Sequence, residues 1–214
     1  VPTLMGADTV IYAYWGNAGA SAQAPSYTTN GTTWDASYRG VWHLSESSGT
    51  LAYDATSNKT VGTCSGGVTV NTAGMIAGGD TFDGINSALM TMGNENLFDF
   101  GLTPFTVSFW IKNIKTTPVN QEWTIVSKGL NSQPWGWELE MSSYSTPPGV
   151  GAYVLRSAAP GYASSSVGMG SISTGAWHHV AYTRMANVIS CYLDGVWKKS
   201  VTNSDFASDF QNGY

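Results

Sequence analysis

The sequence predicts an all-β fold: two antiparallel sheets packed face to face as a sandwich. Three observations carry that expectation. Phe105–Lys112 alternates, with Phe105, Val107, Phe109 and Ile111 on one face and Thr106, Ser108, Trp110 and Lys112 on the other; that is the pattern of a half-buried strand. Runs of this kind recur about every 10–15 residues with turn-forming residues between them, and none of ten or more residues has a clean helical period. Near the end, Val188–Leu193 and Val196–Val201 flank Asp194-Gly195, a two-residue turn signal for a β-hairpin.

Taken in order, Thr9–Gly16 reads as a strand of β-branched and aromatic residues. Residues 18–40 are rich in Ala, Ser, Thr and Gly, with Pro25 and Asn30-Gly31, and read as a loop or linker. Residues 1–39 are therefore expected to be an N-terminal strand and linker, either the tail of a preceding module or a packed extension. Residues 40–214 are expected to form the main domain. Within it, strands are expected at 41–44, 68–70, 87–92, 105–112, 122–128, 135–141, 151–157, 177–184, 188–193 and 196–201.

Bulk composition narrows the function. At 214 residues one domain is the simplest division. Only 11% of residues are charged, aromatics reach 13% and Gly numbers 25, a neutral, hydroxyl-rich and turn-rich balance that fits a secreted or virion β protein. Net charge is −5 with nine Lys+Arg, which argues against nucleic acid, since phosphate tracking needs clustered basic charge. No run of about 18 apolar residues would cross a membrane as a helix. The chain opens Val-Pro-Thr-Leu, so a signal peptide is expected to be absent or already removed. Cys64 and Cys191 are either one long-range disulfide or two buried thiols; Cys191 shares inward parity with Leu193.

An ordered set of landmarks goes further. Val41-Trp42-His43-Leu44, Asp54–Asn58, Phe82-Asp83-Gly84, Phe105–Lys112, Ile125–Gly129, Trp177–Arg184 and Tyr192–Gly195 follow one another over residues 40–201. This succession resembles the laminin-G-like, concanavalin A-like jelly-roll superfamily. The resemblance implies a jelly-roll sandwich, and by that pattern the chain stops before the last strands. A sandwich short of a closing strand would expose an edge, and self-association through the C-terminal edge is expected. Thr9–Asn17 is similar to the closing strand of a small β domain that often precedes such jelly rolls in bacterial and phage surface proteins.

For ligand binding the candidates are Trp110, Trp135, Trp137 and Tyr153. Sugar rings stack on aromatic faces while neutral hydroxyls supply hydrogen bonds, so a glycan, or a cell-surface or virion protein, is the expected partner. The competing use of these rings is core packing. Asp54, Asn58 and Asp83 sit in turns and supply hard oxygen ligands; the resemblance implies structural calcium near such loops. Side-chain capping of the turns is the alternative. His178 and His179 point to opposite faces of one strand and cannot share a metal. Glu138 and Glu140 lie two apart on one strand. They are the pair a polysaccharide hydrolase would need, but the E-x-D-x-x-E pattern of concanavalin A-like hydrolases is absent, and no catalytic residue is assigned. The expected function is non-catalytic surface binding, with structural assembly as its rival and hydrolysis third.

Overall fold

The computed structural model describes residues 19, 30–76, 78–114, 122–128, 135–142, 149–157 and 162–204. Among the described residues, thirteen strands run in chain order: β1 (Leu51–Tyr53), β2 (Val61–Ser65), β3 (Val68–Ala73), β4 (Gly78–Phe82), β5 (Leu89–Met92), β6 (Phe105–Lys112), β7 (Glu122–Lys128), β8 (Trp135–Ser142), β9 (Gly149–Ser157), β10 (Tyr162–Ser171), β11 (Trp177–Met185), β12 (Val188–Leu193) and β13 (Val196–Thr202). One 3-10 turn, Glu95–Phe98, precedes β6. All paired strands are antiparallel, as the alternation predicts.

Two four-stranded sheets make the sandwich, ordered β10-β9-β8-β7 and β13-β12-β11-β6. β6 and β11 are sheet neighbours although β7 to β10 intervene in sequence and build the other layer. A three-stranded sheet β1-β2-β5 and the pair β3-β4 complete the described strands. The core fills the space between the two large sheets. Trp137 and Leu139 of β8 and Met169 of β10 meet Phe105, Val180, Tyr182, Ile189 and Cys191 from the opposing layer. This is the two-layer burial that alternating strands require. Arg184 is also buried there; its Nη1–H donates to the Gly101 carbonyl at 2.6 Å and its guanidinium lies over the Phe105 ring.

The β6 alternation appears as drawn: Phe105 is buried and Val107, Phe109 and Ile111 are half-buried, while Thr106, Ser108 and Trp110 are exposed. Val41–Leu44 is not a full strand. Trp42 makes one isolated bridge to Asp54, and Leu44 turns the chain with φ 52. Cys64 and Cys191 are buried free thiols, and burial pushes the Cys191 thiol up to about 12, which leaves it inert. Thr9–Gly16 and residues 205–214 lie outside the described residues. Residues 30–39 are tied to the 54–58 turn. Asn58 Nδ2 donates to the Tyr38 and Arg39 carbonyls at 3.3 and 3.1 Å. Gly31, at φ +88, passes so close to Thr56 and Ser57 that a Cβ would lie 2.4 Å from the Ser57 nitrogen; only glycine fits there.

Candidate functional site on the outer face of the β13-β12-β11-β6 sheet

Residues directly opposite one another in antiparallel strands share a face. Pairing therefore lays out the outer surface of this sheet in rows. One row is Thr106, Thr183, Ser190 and Ser200; the next is Ser108, Ala181, Tyr192 and Trp197; a third begins with Trp110 and His179. The centre is hydroxyls, an alanine and Tyr192, with an indole at each of two corners, Trp110 on β6 and Trp197 on β13, both toward the β12–β13 turn.

Local sequence explains each corner. Trp110 is 39% exposed, and its ring meets the His179 ring at 5.3 Å between centroids, so the neighbouring strand props it up from one side. At the other corner, Asp194 and Gly195 both take positive φ, 54° and 74°, as a two-residue hairpin turn needs. That turn sets Tyr192 opposite Trp197. A bulge follows between Cys191 and Tyr192. One extra residue on β13 restores the hydroxyls to the outer face, with Ser200 opposite Ser190 and Val201 opposite Ile189. Ser190 Oγ and Ser200 Oγ are 2.7 Å apart, and Trp197 Nε1–H donates to Ser200 Oγ at 2.9 Å. Trp197 stays 58% exposed with its indole edge held. Lys112 sits over the Trp177 ring at 5.1 Å, a cation–π contact at the rim.

A second cluster lies at the end of the same sheet. Ser173 Oγ is 2.9 Å from His178 Nε2, and His178 Nδ1 is 2.8 Å from Asp194 Oδ2. The order of groups is that of a serine-hydrolase triad. A serine nucleophile also needs N–H donors free to hold an oxyanion. Here the Ser173 N–H donates to His178 Nε2 at 3.2 Å, and the Gly175 N–H to the Asn113 carbonyl at 2.8 Å. The arrangement is a clamp joining the loop after β10 to the β12–β13 turn, and Asp194 Oδ1 accepts the His179 N–H as well. The His178 hydrogen bond, and then that N–H, hold the Asp194 carboxyl below its ordinary range. A lowered folded pKa contributes stability above the unfolded value of about 3.9 and loses it as pH falls through the folded one. Urea melts should therefore show Asp194→Asn less stable than wild type at pH 7 and 5, with the gap closing below about pH 4. A gap that persists at pH 2 would mean the carboxylate charge is not what the clamp uses.

The structure separates the residues expected to act together. Trp110 is on the open face. Trp137 is not: it is 5% exposed, packed in the core against Phe100 and Phe105. This corrects the grouping of Trp137 with Trp110 as a ligand platform. The cause is strand parity, since Trp137 shares the inward face of β8 with Leu139. Trp135 and Tyr153 lie in β8 and β9, and their side chains are outside the described residues. Glu138 and Glu140 are both buried, at 5% and 6% exposure, and stand opposite Ser127 and Thr124 of β7.

The turn residues do not fit calcium. Asp54 Oδ1 accepts the Val41 and Thr56 N–H groups at 2.9 and 2.8 Å. Its Oδ2 accepts Thr56 Oγ1–H at 2.7 Å and the Thr60 N–H at 3.2 Å. Burial raises this carboxyl's pKa, but the four hydrogen bonds outweigh it and the net shift is downward. Asp83 Oδ1 accepts the Ile85 and Asn86 N–H groups of its own turn, and Asn58 turns its amide N–H groups to two carbonyls. The expected metal set is thus a set of turn caps. Tyr192, Trp197 and His179 join Trp110 on this face, and the sequence alone does not group them with it. The signal for Trp197 was present, because a two-residue turn at Asp194-Gly195 places it across from Tyr192.

Residues 82–213 match the Laminin_G_3 family model, described as the concanavalin A-like lectin/glucanases superfamily. Among solved structures, the chain is similar to the binding domain of botulinum neurotoxin DC in complex with rat synaptotagmin II. That likeness has a TM-score of 0.54 at 14% identity, over 79% of this chain and 41% of that one. The chain thus spans less than half the length of that toxin chain, and the likeness is one of fold. No curated protein matches the chain.

Proposed function

Because the chain belongs to the concanavalin A-like lectin/glucanase superfamily, we propose that it is a non-catalytic binding module of an extracellular or virion surface, and that it recognises glycan on the outer face of the β13-β12-β11-β6 sheet. The observation that carries this reading is the pair of exposed indoles, Trp110 and Trp197, on the two edge strands of a neutral, hydroxyl-rich face. Aromatic faces accept the C–H faces of sugars, while Ser and Thr hydroxyls both donate and accept. The low charge of the chain supports the same class of ligand.

A glycan array probed with wild type, Trp110→Ala and Trp197→Ala tests it. Binding should fall roughly tenfold or more in each variant, equivalent to about 1.4 kcal/mol. Both side chains are exposed, so the fold should be unaffected. Unchanged binding in both variants would remove this face as the site. Array silence together with concentration-dependent self-association would favour an assembly module instead. Reducing-end release lost in Glu138→Gln would replace binding by hydrolysis.

A further inference from the structure

We propose that the ligand is a linear, uncharged polysaccharide that lies across the strands, spanning from Trp110 on β6 to Trp197 on β13. The inference rests on the glycan reading above and narrows it. Trp110 and Trp197 are on the first and last strands of a four-strand sheet and one outward step apart along the strands. Three inter-strand spacings and one two-residue step separate their backbones by about 16 Å. A monosaccharide bridges no such distance; an extended oligosaccharide several rings long does. Between the corners the chain would pass over Ser108, Ala181 and Tyr192, with the Thr183, Ser190 and Ser200 hydroxyls alongside.

Among the described residues, charge on this face is confined to its edges. Lys112 is drawn onto Trp177 at the rim, and the Asp194 carboxylate is already held by His178 and the His179 N–H. Lys198 occupies the bulge of β13. The two central rows carry only hydroxyl, methyl and aromatic groups. They have nothing to neutralise a sulfate or carboxylate on each ring, as a polyanion would need.

The test is titration calorimetry of the full chain with cello-, manno- and chito-oligosaccharides from one to six rings, with heparin fragments as the charged comparison. For the neutral series that binds, affinity should rise at least tenfold from the shortest to the longest member and then level off. Trp110→Ala and Trp197→Ala should each erase most of that rise. Equal affinity for one ring and six would overturn the inference while leaving the glycan reading intact. Preference for heparin would do the same. Length dependence that survives in both variants would overturn the Trp110–Trp197 span. Failure of every glycan, on array and in titration alike, would sink both readings.

Discussion

Trp137→Ala is expected to cost about 3–5 kcal/mol of stability, the range for removing a buried tryptophan and leaving its cavity. Chemical denaturation followed by circular dichroism measures it. The ring is packed on Phe100 and Phe105 between the two sheets, with centroids 6.1 and 5.5 Å away. Trp137 Nε1–H is buried and has no hydrogen-bond partner among the described residues. Trp137→Phe should therefore lose much less, because it keeps an aromatic ring and removes an unsatisfied donor. The pair of variants separates the two uses of a tryptophan. Under conditions where Trp137→Phe is folded, its glycan binding should equal wild type, whereas Trp110→Ala should lose binding and keep stability. The opposite pattern would mean that the core and the ligand face have been exchanged.

Asp54→Ala is the second large effect, on the order of 3 kcal/mol, because four donors in a buried turn lose their acceptor at once. For a chain of this size that corresponds to a fall in Tm of about 10 °C. Asp54→Asn should recover only part, since the amide replaces one acceptor oxygen with donors that face N–H groups. The same residue decides the calcium question. A chelator should leave the wild-type Tm where it is, because the carboxylate lone pairs already serve the Val41, Thr56 and Thr60 donors. A drop in Tm on chelation, restored by calcium, would show these hydrogen bonds to be a secondary use of the carboxylate.

Strands were legible where composition and period agreed. β6 reads directly from its alternation, and β12 and β13 from the Asp194-Gly195 turn between them. β10 was missed. Its sequence, Tyr-Ala-Ser-Ser-Ser-Val-Gly-Met-Gly-Ser, has the look of a loop. It is a strand because β9 supplies a ladder on one side, and because Met169 is drawn into the core. β2 is hidden in the sequence for a related reason. Val61-Gly-Thr-Cys-Ser has little β propensity of its own and is held between β1 and β5. In the opposite direction, Trp42-His43-Leu44 has strand composition but, among the described residues, makes only one isolated β-bridge, Trp42 to Asp54.

Sequence alone determined the layer architecture, the family pattern and the outward position of Trp110. Each follows from a period of two, or from turn chemistry, and both are local. It did not determine which other aromatic residues share that face. Trp137 and Trp110 have the same strand-like surroundings in one dimension. They differ because β8 turns Trp137 toward the opposing sheet while β6 turns Trp110 to solvent. Trp197 joins Trp110 only through three strand pairings and a bulge that resets parity after it. Such a site is a property of register, and register is set by partners distant in the chain.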